Sequence, residues 1–157
     1  MTNQYWSLRQ NPYKTTKQKR MRRLIISHNI ITSPFGHSYE ARDNVINGIY
    51  NEPISNSQDR KFIEDMKIGD IVLIPFARKK KCLLVEIISE PDVVWDTGLF
   101  TIRLDGKFKL SRKRGIPFRP VGRKVRIICD DVVFDDKRVL PRNSLSRINP
   151  NIISQFL

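Results

Sequence analysis

Three basic runs are the residues of this chain whose type and spacing point most directly to chemistry. Lys17, Lys19, Arg20, Arg22 and Arg23 form the first, with Arg9 ahead of it. Arg78-Lys79-Lys80-Lys81 is the second, and the stretch from Arg112 to Arg126, with Arg112, Lys113, Arg114, Arg119, Arg123, Lys124 and Arg126, forms the third. Cationic side chains at this density neutralise phosphates, and each phosphate contact adds salt dependence without reading sequence. The 157 residues carry 29 Lys+Arg against 16 Asp+Glu, a formal net charge of +13. That excess on so short a chain implies a polyanionic partner, most often nucleic acid, DNA or RNA. Two blander readings stand beside it. Charge also keeps a protein soluble, and a basic turn such as 78–81 also protects a hairpin edge from pairing with another chain.

Catalytic patterns are missing. There is no G-x-S-x-G elbow and no G-x-x-x-x-G-K phosphate loop. Asp70 and Glu86 fall on adjacent predicted strands, as a metal-dependent nuclease would need. Glu86 is followed by Ile87-Ile88, however, with no lysine two residues on. Asp130-Asp131 and Asp135-Asp136 lack the other ligands of a calcium loop. Cys82, Cys129, His28 and His37 have no metal-ligand spacing, so the sequence implies no metal, no cofactor and no enzyme. The two cysteines read as buried, reduced thiols, which suits an intracellular compartment, cytoplasmic or nuclear. No apolar run approaches the roughly 18 residues of a membrane span, and the N-terminal residues have no signal-peptide pattern, so no membrane partner is expected.

The elements that must position these groups are short. Tyr5-Trp6-Ser7-Leu8-Arg9 has strand chemistry and stops at Asn11-Pro12. Lys14 to Arg23 has no apolar period and reads as an irregular basic insertion. Leu24 to Ile31 is β-branched and predicts a strand, ended by Thr32-Ser33-Pro34-Phe35-Gly36. Short helices are expected at 39–50 and at 59–66, the latter with Phe62, Ile63 and Met66 on one face. Lys67-Ile68-Gly69-Asp70 predicts a tight turn into Ile71–Pro75, and Cys82–Ile88 returns as the second arm of a buried hairpin. Leu99–Leu104 and Lys107–Leu110 form a second hairpin about Asp105-Gly106. Val125–Cys129 reads as a last core strand, and a short helix is expected near 144–148. The whole predicts an α+β fold, a small, mostly antiparallel β-barrel with two or three short helices. One domain is expected over 1–130, with the basic insertion at 11–23, and a C-terminal extension, 131–157, packing on it.

A Trp-bearing first strand, helical matter, then Met66-Lys67-Ile68-Gly69-Asp70-Ile71-Val72-Leu73-Ile74-Pro75 and the returning Leu83-Leu84-Val85-Glu86-Ile87-Ile88 resembles the PUA-like superfamily, and within it the EVE and YTH-like domains. The resemblance covers about residues 4–9 and 62–128. The insertion at 14–23 and the tail after Asp130 depart from the compact family pattern. The resemblance implies recognition of a nucleic-acid base, often a modified one, flipped or unpaired into an aromatic-lined pocket.

Under that reading Trp6, Trp95 and Phe35 are the candidate walls, and Ser33, Asp92 and Asp96 the candidate readers of the base edge. Trp95 lies in a loop, between Val94 and Asp96, where ligand contacts concentrate. Structural roles compete at each position. Trp6 could pack the barrel end, the two Asp could cap turns, and Ser33 and Phe35 could belong to a rigid turn. The expected function is therefore a non-enzymatic nucleic-acid-binding module reading a modified or flipped base. The rivals are a packaging protein, viral for instance, that coats nucleic acid without reading bases, and an SH3-like or PWWP-like barrel that cages methyl-lysine.

Overall fold

A computed structural model describes residues 3–9, 22–23, 25–33, 57–76, 82–93, 100–101, 111–112, 121–133, 145–154 and 157. Residues 57, 93, 100–101 and 111–112 are described in their backbone only.

The near-continuous apolar runs of the predicted hairpin form two antiparallel strands, β3 (Ile71–Ile74) and β4 (Cys82–Ile87), in the register Val72↔Val85 and Leu73↔Leu84. Both runs lack polar alternation because both faces are covered. Val72, Ile74, Leu83, Val85 and Ile87 enter one core cluster. Ile71, Leu73, Cys82 and Leu84 enter a second on the opposite face. Ile153, fully buried, reaches that second core from the turn that follows a 3-10 helix at Pro150–Ile152.

Around this hairpin lie β1 (Tyr5–Leu8), β2 (Ile30–Thr32), β5 (Asp92–Val93), β8 (Val121–Val132) and β9 (Leu145–Arg147). The sheet runs β2-β8-β4-β3-β1-β9, with β5 also paired to β8. It is a curled half-barrel. A separate two-stranded ladder joins β6 (Phe100–Thr101) to β7 (Ser111–Arg112). One pairing differs from a mostly antiparallel barrel: β1 runs parallel to β3, so the sheet is mixed. Parallel neighbours need a long crossover, and residues 9–70 supply it. Two register shifts between β4 and β8, at Cys82/Leu84 and Leu84/Val85, are the kind of irregularity that bends a strand and increases twist.

Three local expectations change. Residues 25–28, inside the β-branched run, are helical. Asn29 ends the turn in the left-handed region at φ 54° and its N–H donates to the Ile25 carbonyl. Asn tolerates that conformation, so burial of Ile25 in the core outweighs its strand propensity. Residues 145–147 form strand β9 instead of a helix, held by pairing to β1 and by the Gln58 side chain, which accepts the Leu145 N–H at 2.7 Å. The last core strand is longer than expected, running from Val121 through Asp131 to Val132.

Helix α1 (Ser57–Arg60) continues into a π-helical turn at Lys61–Asp65, which buries Phe62 and Ile63. The turn that follows is closed by the Asp70 N–H donating to the Lys67 carbonyl, with Gly69 at φ 94°. A type II turn requires that positive φ at its third residue. A Cβ on Gly69 would meet Asn3 Oδ1 at an ordinary 3.4 Å, so space is not the obstacle. Gly69→Ala is expected to cost about 1–2 kcal/mol through backbone strain, read as a lowered urea midpoint, and Gly69→Asn less.

Candidate nucleic-acid interface

The sequence places Trp6 in a base pocket; the structure places it in the core. Trp6 is 1% exposed, and its indole Nε1–H donates to Asp70 Oδ2 at 3.0 Å. The Arg147 guanidinium, opposite it on β9, lies 5.7 Å from the ring centroid. β1 alternates toward the first core cluster through Trp6 and Leu8, and a strand in that register turns its indole inward. Ser33 is likewise buried, at 1% exposure. Its Oγ has no hydrogen-bond partner among the described residues, while its N–H donates to the Val121 carbonyl at 3.0 Å.

Arg123 departs furthest from what its place in a basic run suggests, a phosphate contact. Instead its guanidinium is buried beneath the π-helical turn. Nε donates to the Phe62 carbonyl at 3.0 Å, and Nη2 donates to Ile63 at 3.0 Å and Met66 at 2.7 Å. Nη1 donates to Ser89 at 3.2 Å, and the group lies over the Phe62 ring at 5.9 Å. Carbonyls at a helix end lack partners within the helix, and the planar fork of arginine satisfies several at once. The sequence carries a signal for this. Val121, Arg123, Val125 and Ile127 alternate along β8, and a strand that turns valines to the core turns the arginine there too.

The other face of β8 shows the reverse. Lys124 and Arg126 are exposed on it, two residues apart, about 7 Å along the strand. Arg126 Nε is 3.0 Å from Glu86 Oε1, its partner across β4, with side chains 59% and 28% exposed. The Lys124 ammonium and the terminal nitrogens of Arg126 have no protein partner among the described residues. Both lie in the third basic run, Arg112 to Arg126, which the sequence offers as a phosphate contact. Arg23 is exposed, Arg9 and Arg22 are partly buried, and the Arg22 guanidinium donates to the Asp130 carbonyl.

Two strand ends and one strand start meet at one point of the sheet. β2 ends opposite Gly122, and Ser33 is tied to Val121. β5 pairs Asp92 with Gly122 and Val93 with Val121 on the other side of β8. Asp92 is exposed there. The connections that leave Ser33, leave Val93 and enter Val121 thus share one end of the sheet. In sequence they carry Phe35, then Trp95 and Asp96, then Lys113, Arg114 and Arg119.

Those six residues lie outside the described residues, as do Lys17, Lys19, Arg20, Arg78, Lys79, Lys80 and Lys81. Arg112 is described in its backbone, at the end of β7. The described residues include eleven Lys/Arg and nine Asp/Glu, which is +2 of the chain's +13. The other 18 Lys/Arg and seven Asp/Glu lie outside the described residues.

Asp70 and Glu86, the two carboxylates a nuclease core would need, are both engaged, the first by Trp6, Gln4 and Lys67 and the second by Arg126. Among the described residues no cluster of three His, Cys, Asp or Glu could hold a metal ion, and no helix is long and apolar enough to cross a membrane. Searches against protein families, curated proteins and solved structures match nothing.

Proposed function

We propose that this chain is a non-enzymatic nucleic-acid-binding module of PUA-like, EVE/YTH-like architecture, in which its basic runs contact the phosphate backbone. The observation that carries the reading is the distribution of charge. The 157 residues carry a net +13, gathered in three basic runs, and cations at that density neutralise phosphates. Base recognition, under this reading, rests on Trp95 and Phe35 with Asp92 and Asp96 at the base edge. Trp6 and Ser33 take no part, because both are buried.

The test is a binding panel of single- and double-stranded DNA and RNA, with and without methylated bases, at two salt concentrations. Affinity is expected to fall steeply with salt, by a log–log slope of about 0.7–0.9 per phosphate neutralised. Trp95→Ala is expected to weaken binding of the preferred methylated oligonucleotide by roughly tenfold, as loss of one base stack does, and to leave the salt slope unchanged. No binding to any polymer at low salt overturns the proposal. Equal binding of Trp95→Ala and the parent, with no preference for methylation, leaves backbone coating as the function. The burial of Trp6 favours that second reading, since it removes one of the two indoles from any pocket.

A further inference from the structure

We infer that Glu86 is a built-in competitor for phosphate on the outer face of β8, where Lys124 and Arg126 form a contact surface for a phosphodiester backbone. The inference rests on the nucleic-acid reading above and adds to it a place and a brake. β4 turns Cys82 and Leu84 into the second core cluster, and Glu86 is the next residue on that face. β8 changes character at the same level, from the half-buried Ile128 to the exposed Arg126 and Lys124. Apolar cover stops there and solvated cations begin, where the pairing of β8 passes from β4, which ends opposite Val125, to β2, which starts opposite Lys124.

Two features mark Lys124 and Arg126 as open to an anion. The Lys124 ammonium has no partner among the described residues. Arg126 gives Glu86 only its Nε, which leaves the terminal nitrogens to face a second acceptor. Arginine can serve two oxyanions at once because its donors fan out in a plane. A phosphate seated on those nitrogens would lie within a few ångströms of the Glu86 carboxylate. The repulsion opposes binding by about fivefold between unit charges 4 Å apart in water, and less as salt is added. Asp92, opposite Gly122, is a second exposed carboxylate on this strand pairing, nearer Lys124 than Arg126. Glu86 is singled out because it bonds the cation directly.

Glu86→Gln is expected to tighten binding of a single-stranded oligonucleotide about three- to fivefold at low salt. Asp131→Asn serves as the control. It removes an exposed carboxylate on the same strand, five residues and about 17 Å beyond Arg126, further than the roughly 10 Å screening length at 0.1 M salt. It should move affinity less than twofold. Arg126→Gln should weaken binding and lower the salt slope by about 0.7–0.9. With Arg126→Gln in place, Glu86→Gln should restore less than it gains alone. Equal effects of Glu86→Gln and Asp131→Asn, or weaker binding by Glu86→Gln, overturn this inference while the nucleic-acid reading stands. An unmodified chain that binds no oligonucleotide at all overturns that reading instead.

Discussion

Replacement of Arg123 by methionine is expected to cost about 3–5 kcal/mol of folding stability, measured as the shift in a urea unfolding curve. Methionine matches the aliphatic stem and removes the whole donor set. The carbonyls of Phe62, Ile63 and Met66 then lose their bonds to the buried Arg123 guanidinium, and that of Ser89 loses its bond as well. An acceptor stranded away from water costs about 1–3 kcal/mol. The losses are not additive, because the π-helical turn relaxes once its clamp is gone. Arg123→Lys should fall between the parent and the methionine variant, since an ammonium has three donors and no planar fork. The protein that remains folded should bind nucleic acid with an unchanged salt slope. The opposite pattern, full stability with weaker binding and a slope smaller by nearly one, would return Arg123 to the phosphate contacts.

Arg123 also shows where sequence and structure part company. Composition and charge runs report how many cations a chain has, and strand alternation reports which way each one faces. The run from Arg112 to Arg126 reads as one basic surface when only charge is counted. Alternation divides its last part, with Arg123 turned toward the core beside Val121 and Val125, and Lys124 and Arg126 turned outward. Trp6 follows the same rule through its neighbour Leu8. The hairpin of β3 and β4 was legible because its apolar runs are long, a glycine at positive φ marks the turn that leads into β3, and both faces are buried. Residues 25–28 were not, because local β-branching carries no record of the core contact and left-handed Asn29 that favour a helix. The parallel pairing of β1 with β3 and the pairing of β9 with β1 were hidden for another reason. Each joins segments far apart in the chain, and nothing in either three- or four-residue strand names its partner.

Those distant pairings give Asp70 its importance, and Asp70→Ala is expected to cost about 3–4 kcal/mol. Its carboxylate, 3% exposed, accepts from the Gln4 N–H through Oδ1 at 3.0 Å. Oδ2 accepts from Trp6 Nε1 at 3.0 Å and from the Lys67 N–H at 2.9 Å. One side chain thus closes the turn before β3 and fixes β1 beside it, while its own backbone receives the Ile87 N–H from β4. Removing it leaves an indole N–H and two amides without their acceptor, at the parallel pairing of β1 with β3. Asp70→Asn separates geometry from donor count. The amide keeps one oxygen, best placed for Trp6 and Lys67, and then sets its NH2 against the Gln4 N–H. About half the loss is expected. The readouts are the urea midpoint and the near-ultraviolet circular dichroism of the indole. Nucleic-acid affinity of the folded fraction should be unaltered in both variants, since Asp70 lies inside the frame. If Asp70→Ala unfolds with the parent's midpoint, the carboxylate is not the joint between β1 and the turn. The buried position of Trp6 would then need another cause.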